Sequence, residues 1–269
     1  MPENAVLVTT DDISLGLSRC RGVPANRTDE EIEVGFTLVF PLSGSFRVDL
    51  EGSMAIASPA QAVLFSDGQH RVVQHPMGGH DESAFISMTP RAAEPFLTPS
   101  GRFRVAAGAT NCRLDYEVRR LIMAARMSQV GPMEIEEFAL RALADLSKAT
   151  TNHLGGVRSE TVRRAEEYLA THFREDCGLS RVARHVGYSS HHLSRSFKSI
   201  TGESVSERRM RLRLSHALSR ILDGADDLTT VAVESGFYDH SHMANSFRRY
   251  FGATPTQSGS TITAAAELR

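Results

Sequence analysis

Apolar and polar residues alternate in several short stretches before residue 89. Residues 32–40 and 45–50 both follow this pattern, and the turn-forming sequence PLSG lies between them at 41–44. A period of two residues predicts β-strands with one buried face. Three more short strands are predicted near residues 62–65, 71–74 and 84–88. Short strands at this spacing are typical of a β-sandwich or a β-barrel.

The pattern changes to a helical period at Leu114. Apolar residues then recur every three or four positions in residues 114–125 and, after the pair Gly131-Pro132, in residues 135–146. We expect these two helices to cover the sheet. Residues 147–158 are rich in Thr, Asn and Gly. These shifts predict a first domain at 1–150, a linker at 151–158, a second domain at 159–258 and a flexible tail at 259–269.

The second domain contains an internal repeat with a separation of 49 or 50 residues. Ala183, Gly187 and Phe197 in the first copy correspond to Ala232, Gly236 and Phe247 in the second. A glycine at a helix C-terminus can adopt the positive φ that ends the helix, and an alanine one turn earlier lets two helices approach closely. Each copy therefore predicts a short helix, a turn and a second helix, which is the layout of a helix-turn-helix motif.

The second helix of each copy has an apolar side and a polar side. In the first copy, the polar side carries His191, Ser194, Arg195 and Lys198, opposite Leu193, Phe197 and Ile200. In the second copy, it carries His242, Asn245 and Arg249, opposite Met243, Phe247, Tyr250 and Phe251. Such polar side chains can read base edges in the major groove of DNA. Lys198 and Arg248 directly follow the core Phe residues and are placed to reach phosphate.

A long helix is predicted between the two copies, over residues 204–222. Ser204 and Glu207 have the spacing of a capping box at its start. It carries arginines at positions 208, 209, 211, 213 and 220, and those of 208–213 are expected to form a solvated or phosphate-facing surface. A rigid helix in this place would hold two recognition helices about 34 Å apart, which is one turn of DNA.

Charge is divided unevenly along the chain. The 269 residues have a formal net charge of −2. Residues 1–156 hold 14 basic and 19 acidic residues, a net charge of −5, whereas residues 157–257 hold 15 and 12, a net charge of +3. This asymmetry indicates two domains with different partners. The excess of +3 agrees with a nucleic-acid partner, although many other domains carry a similar charge.

Composition excludes several classes of protein. Apolar residues make up 41% of the chain and charged residues 23%, as in ordinary globular proteins, and no stretch approaches the roughly 18 apolar residues of a membrane span. The N-terminus lacks the pattern of a secretory signal. Cys20, Cys112 and Cys177 form no disulfide framework and no CxxC site. We expect a cytoplasmic protein with inert cysteines, and the lack of nucleotide-binding or hydrolase motifs argues against an enzyme.

Five short sequences in the second half carry a family resemblance. They are LSRVA at 179–183, GYS at 187–189, LSRSFK at 193–198, VAVESGF at 231–237 and FGATP at 251–255. Together they resemble the DNA-binding domain of the AraC/XylS family of bacterial transcription regulators. The resemblance implies helix-turn-helix motifs near 178–199 and 226–249, with recognition helices in successive major grooves of promoter DNA. The implied base-reading residues are His191, Ser194, Arg195, Ser241, His242 and Asn245, and the implied phosphate contacts are Lys198, Arg248 and Arg249.

Two features depart from that family pattern. Asn245 and Met243 stand where the family usually has Arg and Phe, and Asn can form two hydrogen bonds to adenine. Residues 255–259 lack the Tyr and Arg of the usual closing turn. We therefore expect a changed base preference or a weaker site in the second motif, and a short or loose terminal helix.

The first half is similar to the companion domain of the same family. The likeness rests on FPLSG at 40–44, Ser58-Pro59 and TPR at 89–91, where a short helix is expected. It implies a two-domain α+β fold, with an N-terminal cupin-like β-barrel and trailing helices, and a C-terminal all-α domain with two helix-turn-helix motifs. The barrel would bind a small-molecule effector or a second copy of the chain. Phe36, Leu38 and Arg47 are the candidate effector neighbours.

The resemblance implies an effector-responsive activator. It would form a homodimer and act on transcription together with RNA polymerase. A second hypothesis is a metal-dependent cupin enzyme that uses His70, His75 and His80. Their five-residue spacing alternates strand faces and crosses Gly78-Gly79, so we predict rim or loop histidines, no metal site and no cofactor. A third hypothesis is an architectural regulator whose barrel only dimerises.

Overall fold

The computed structural model describes residues 3–21, 30–51, 53–75, 80–103, 107–148 and 160–258. Within these ranges, ten strands form two antiparallel sheets. They are β1 (Glu3–Thr9), β2 (Ile13–Arg21), β3 (Glu31–Ile32), β4 (Phe36–Ser43), β5 (Phe46–Leu50), β6 (Ser53–Ala57), β7 (Gln61–Phe65), β8 (His70–Gln74), β9 (His80–Met88) and β10 (Ala107–Ala109). One sheet has the order β1-β2-β9-β4-β7-β10 and the other β3-β8-β5-β6.

The two sheets face each other across an apolar core. Val48 on β5 and Phe65 on β7 belong to this core, and Val39 on β4 and Val73 on β8 pack against it. Within the described residues, the strands form two facing sheets in a cupin-like arrangement, and the predicted barrel is not closed. The alternation along β4 places Val39 in this core, whereas Leu38 points to the opposite face of its sheet.

Helices cover the outer face of the six-stranded sheet. A short helix, α1 (Pro90–Ala93), begins after Thr89, whose side chain accepts the N–H of Ala92. It is followed by a 3-10 turn and by two long helices, α2 (Cys112–Arg126) and α3 (Pro132–Lys148). Their apolar faces, which include Leu114 and Leu143, share one core with β2, β4 and β9. The predictions of a short helix after Thr89 and of two sheet-covering helices are confirmed.

All regular secondary structure in residues 160–258 is helical. The helices are α4 (Glu160–His172), α5 (Leu179–Val186), α6 (Ser190–Thr201), α7 (Val205–Leu222), α8 (Leu228–Glu234) and α9 (His240–Phe251), and a last helical turn covers 255–258. They enclose two cores, one built with α5 and α6 and one with α8 and α9. The long helix α7 joins them, because Leu212 belongs to the first core and Leu218 to the second.

Three arginines of α7 are buried, so the prediction that they form a solvated surface is wrong. Arg208 Nε lies 2.6 Å from Glu203 Oε1. Arg211 binds Asp115 on α2 at 3.0 Å, and Arg213 donates to the carbonyl oxygen of Phe173 at 2.7 Å. Asp115 and Phe173 come from segments far away along the chain, whereas Glu203 lies just before α7. These partners offset the cost of burying the guanidinium groups.

The same helix carries much of the contact between the β-rich part and the helical part. Besides Asp115, Arg211 donates to Thr110 Oγ1 and to the carbonyl oxygen of Ala60, both at 3.0 Å. Burial lowers the pKa of Arg211, but the charges of Asp115 and Glu203 outweigh this effect and raise it above its ordinary value. In the reverse direction, Arg119 of α2 donates to Ser215 and, at 2.6 Å, to Ser219. The two parts therefore meet through buried, charged hydrogen bonds.

Other sequence predictions differ from the structure in detail. The strand predicted at 32–40 is split, since β3 ends at Ile32 and β4 starts at Phe36. The turn predicted at 41–44 starts later, because β4 continues to Ser43. The helix predicted at 204–222 is confirmed, with the capping box of Ser204 and Glu207. The predicted linker at 151–158 and tail at 259–269 lie outside the described residues.

Candidate nucleic-acid interface

Helices α5 and α6 form the first helix-turn-helix motif. Helix α5 ends at Gly187, whose φ of 78° lies in the left-handed region that glycine adopts without a Cβ penalty. Helix α6 begins after Ser189, whose hydroxyl accepts the N–H of His192 at 3.2 Å. A glycine C-cap and a serine N-cap therefore define the turn between the helices.

Helices α8 and α9 form the second motif in the same way. Asp239 caps α9, and its carboxylate accepts the N–H of His242 at 2.7 Å. Gly236, in the turn, has a φ of 83°, and a Cβ at this position would lie 2.5 Å from the carbonyl oxygen of Arg174. Gly236 is therefore required both by its backbone conformation and by the close approach of the segment after α4.

The predicted recognition face of α6 points away from the protein. Leu193 and Phe197 on its other side are fully buried in the first core. His191, Arg195 and Lys198 are exposed, and Ser194 is half-buried. Within the described ranges, neither Arg195 nor Lys198 forms an ion pair with the protein. These side chains are available to an external partner.

The predicted face of α9 is arranged in the same way. Met243 and Phe247 are fully buried. The exposed residues are Ser241, His242, Asn245, Arg248 and Arg249. The ring of His242 packs edge-on against Phe237 at 5.3 Å between centroids, and the Arg249 guanidinium lies 5.8 Å from the ring centroid of Tyr250. The structure thus brings all the predicted DNA-contacting residues to the surface of two capped helices.

Positive charge from both helices reaches the start of α7. Hydrogen bonds from Ser204 hold the pKa of Glu207 below its ordinary value, and the charges of Lys198 and Arg249 lower it further. Lys198 comes from α6 and Arg249 from α9, so the C-terminal halves of the two helices both act on the N-terminus of α7. A phosphate group near this point would meet cations from both motifs.

Two exposed tyrosines next to the recognition helices were not predicted as site residues. Tyr188 precedes the cap of α6 and stacks on His192 with 4.8 Å between ring centroids. Tyr238 precedes the cap of α9 and is 89% exposed. The second copy of the repeat has one more residue than the first between its glycine and the buried residue of the recognition helix, and Tyr238 occupies that insertion. This insertion was the signal that could have identified it.

The β-rich part holds a cavity of about 230 Å³ between its sheets. Phe46, Phe65 and Phe85 supply apolar lining and Arg71 a charged group. The candidate effector residues lie elsewhere. Phe36 and Leu38 point to the helix-covered face of their sheet, because the strand register puts Thr37 and Val39 on the cavity side. Arg47 Nη2 instead donates to Glu167 Oε2 of α4 at 2.9 Å.

The three histidines of the metal hypothesis do not share a site in the described residues. His70 is exposed and its ring lies 2.9 Å from Glu30. His75 is buried beside the cavity, and the side chain of His80 is outside the described part. Burial and the charge of Asp81 raise the pKa of Cys20, another cavity residue, and burial raises that of Cys112 to about 11.

Comparisons with known proteins match the helical part most clearly. The family described as "Helix-turn-helix domain" matches residues 182–259. An uncharacterized HTH-type transcriptional regulator of Staphylococcus aureus is 28% identical over 101 residues, which are 38% of this chain and 14% of that protein. The thermoregulatory protein LcrF of Yersinia pestis is 30% identical over 139 residues, 48% of each chain. The chain thus spans half or less of the length of these curated relatives.

Solved structures give weaker matches. Unsaturated fatty acid-bound ToxT from Vibrio cholerae covers 98% of this chain, and the match covers 99% of ToxT, with 11% identity and a TM-score of 0.40. The C-terminal domain of the response regulator AraT from Geobacillus stearothermophilus is 27% identical, and the match covers 39% of this chain and 88% of that domain with a TM-score of 0.38.

Among the described helices, none is long and apolar enough to span a membrane.

Proposed function

From the AraC-type helix-turn-helix domain in its C-terminal part, we propose that this chain is a sequence-specific transcription regulator that binds promoter DNA. The observation that carries the proposal is the repeated arrangement of α6 and α9. Each helix is capped, buries an apolar face and exposes a polar one. Each fits the major groove with its first turns toward the bases. The two would read successive grooves, with α7 as the rigid connection.

Selection of bound oligonucleotides from a random pool tests this proposal. We expect two short preferred blocks whose centres are about 10 base pairs apart, the spacing of two recognition helices on one side of the duplex. Affinity should fall steeply with salt, because each phosphate contact releases counterions. A pool with no enriched sequence, or with one block only, would contradict the two-motif arrangement.

Single substitutions separate base reading from phosphate binding. Arg195→Ala and Asn245→Ala should each cost about 1–3 kcal/mol of binding free energy and relax the preference at one base. Lys198→Ala should weaken all sequences about equally and reduce the salt slope by about one. Arg113→Ala removes an exposed arginine of α2 and is the matched control. If Arg195→Ala and Lys198→Ala both bind like the unchanged chain, the assignment of the recognition face is wrong.

We infer that the cavity between the sheets takes a small-molecule effector. Its three phenylalanines and one arginine fit a compact ligand that has an apolar body and a polar group. A ligand at 100 times its dissociation constant stabilises the folded chain by about 2.7 kcal/mol, which a thermal-shift screen detects. Val73→Phe should fill the cavity and remove the shift. A shift that persists in this variant places the ligand elsewhere, and a chain that no compound shifts favours the purely dimerising, architectural regulator.

The remaining parts of the proposal concern assembly and output. Helix α3 exposes Met133 (81%) and Leu140 (42%), and this apolar surface supports a homodimer. On the selected operator, the dimer would activate transcription by RNA polymerase in the bacterial cytoplasm. Transcription in vitro with and without the protein shows whether transcript levels rise or fall, and lower levels with the protein would make it a repressor.

A further inference from the structure

Three residues with metal-binding side chains lie together beside the cavity. Cys20 on β2 pairs in register with Asp81 on β9, and His75 directly follows β8. All three line the cavity between the sheets. Residues directly opposite each other on antiparallel strands have Cβ atoms about 4.5–5.5 Å apart. The sheet register therefore holds Cys20 and Asp81 side by side.

The donor atoms of the cluster are close to one another. Cys20 Sγ lies 3.3 Å from His75 Nε2, and His75 Nδ1 lies 2.8 Å from Asp81 Oδ1. One donor atom from each residue lies within 4.8 Å of the other two. In a tetrahedral zinc site, bonds of about 2.3 Å to sulfur and about 2.0 Å to nitrogen put these two ligand atoms roughly 3.5 Å apart. The separation of the Cys20 and His75 donors already fits this geometry.

Two polar atoms of the cluster, His75 Nδ1 and Asp81 Oδ1, are buried without an aligned hydrogen-bond partner among the described residues. His75 is 5% exposed and Asp81 is 8% exposed. Although His75 Nδ1 and Asp81 Oδ1 are close, they are not aligned as a hydrogen bond, and neither atom has another partner among the described residues. The hydroxyl of Ser83, also on β9 and in the cavity wall, is in the same situation. Buried polar atoms are rarely left unsatisfied in native proteins, so the cluster calls for a further partner such as a cation.

We propose that Cys20, His75 and Asp81 bind a divalent transition-metal ion of the zinc class. A thiolate, an imidazole and a carboxylate are the ligand types that zinc takes in proteins. Magnesium and calcium instead require shells of oxygen ligands. Three protein ligands leave a fourth coordination position, which would face the cavity and take water or a donor atom of a bound molecule.

This site was not predicted from the sequence, because 55 residues separate Cys20 from His75. It is also distinct from the pattern of His70, His75 and His80, of which it uses one residue. The proposal does not depend on DNA binding by the helical part. Its test can therefore fail or succeed whatever the oligonucleotide selection shows.

Cobalt titration of the full chain tests the site directly. The protein is stripped with a chelator, kept reduced with a phosphine and titrated with Co²⁺, which takes zinc sites and reports a thiolate ligand by a near-ultraviolet charge-transfer band. We expect the band to saturate at one equivalent and to be displaced by Zn²⁺. Cys20→Ser should remove it, and His75→Gln and Asp81→Asn should weaken Co²⁺ binding at least tenfold.

Matched controls come from the same chain. Cys112→Ser removes another half-buried thiol, on α2, and His70→Gln removes an exposed histidine of β8. Both should keep the band. Zn²⁺ should raise the melting temperature of the unchanged chain and of both controls, but not of Cys20→Ser, which is nearly isosteric. Absence of the band from the unchanged chain, or its persistence in Cys20→Ser, overturns the proposal.

Discussion

Removing the guanidinium of Arg211 should weaken the contact between the two parts of the chain. Its Nη2 atom binds Asp115, Thr110 and the carbonyl oxygen of Ala60, each at 3.0 Å. All of these groups belong to the β-rich part or its helices, whereas Arg211 belongs to α7. Arg211→Met keeps the apolar stem, removes the charge and leaves the Asp115 carboxylate without its cation.

The surrounding hydrogen bonds set the size of the effect. Removing one partner of a buried ion pair usually costs about 3–5 kcal/mol. Here the lower end applies, because the Thr110 hydroxyl still donates to Asp115 and the Thr110 N–H still binds the carbonyl oxygen of Ala60. We expect about 3 kcal/mol for Arg211→Met. Asp115→Asn should cost only about 1–2 kcal/mol, since Arg211 keeps Glu203 at 3.3 Å.

Urea unfolding of the full chain, followed by far-ultraviolet circular dichroism, measures these costs. The double variant should cost less than the sum of the single ones by at least about 1 kcal/mol, because neither group is then left charged and unpaired. Arg209→Met is the control, since its partner Asp176 is fully exposed, and it should cost under about 1 kcal/mol. Additive single costs, or a larger cost for Asp115→Asn than for Arg211→Met, would refute the reasoning.

Three further predictions use other features of the fold. Gly236→Ala should destabilise the chain by at least about 2 kcal/mol more than Gly187→Ala. Both positions have positive φ, which costs about 1–2 kcal/mol for alanine, but only a Cβ at 236 meets backbone; equal urea midpoints would contradict this. Burial, followed by the charge of Arg174, lowers the pKa of His216 from 6.5 to about 4. The unfolded chain therefore binds a proton at His216 at a higher pH than the folded chain does, so the free energy of unfolding should fall as the pH drops from about 6.5 to about 4. In His216→Gln this contribution to the pH dependence should be lost. If urea titrations at several pH values give the same pH dependence for both chains, His216 is not its cause. Leu140→Glu should shift the chain from dimer to monomer in sedimentation velocity and leave its far-ultraviolet circular dichroism unchanged, and an unchanged dimer would place the interface elsewhere.

The helix-turn-helix motifs were predictable because their determinants are local. Gly187 and Gly236 end helices by their own conformational freedom, and the Ser204–Glu207 capping box spans four residues. The polar and apolar sides of α6 and α9 follow from helical periodicity alone. In the first half, β2 also alternates, with Ile13, Leu15 and Leu17 buried, although this strand is not among the predicted ones.

Features that depend on distant partners could not be predicted. Arginines on a helix with a polar pattern are usually solvated. The residues near Arg211 in the sequence do not indicate that its partners are Asp115 and Ala60. Strand faces present the same difficulty. Alternation shows that Phe36 and Leu38 share a face, but only the positions of α2 and α3 decide that this face is covered by helices and that Val39 borders the cavity.

If the chain binds DNA as proposed, the position of α7 limits how the β-rich part can act on that binding. Arg211 links α7 to α2, and α2 also contacts α9, where Tyr116 packs against Phe251 at the C-terminal end of that helix. The side chains predicted to contact DNA remain exposed in this arrangement, except Ser194, which is half-buried. The described contacts therefore leave the recognition faces of α6 and α9 uncovered, so the β-rich part would not regulate the chain by covering them. Since α7 lies in both helical cores, a change in how α7 packs on α2 would instead reach both motifs, and the proposed binding to two successive grooves depends on their relative position.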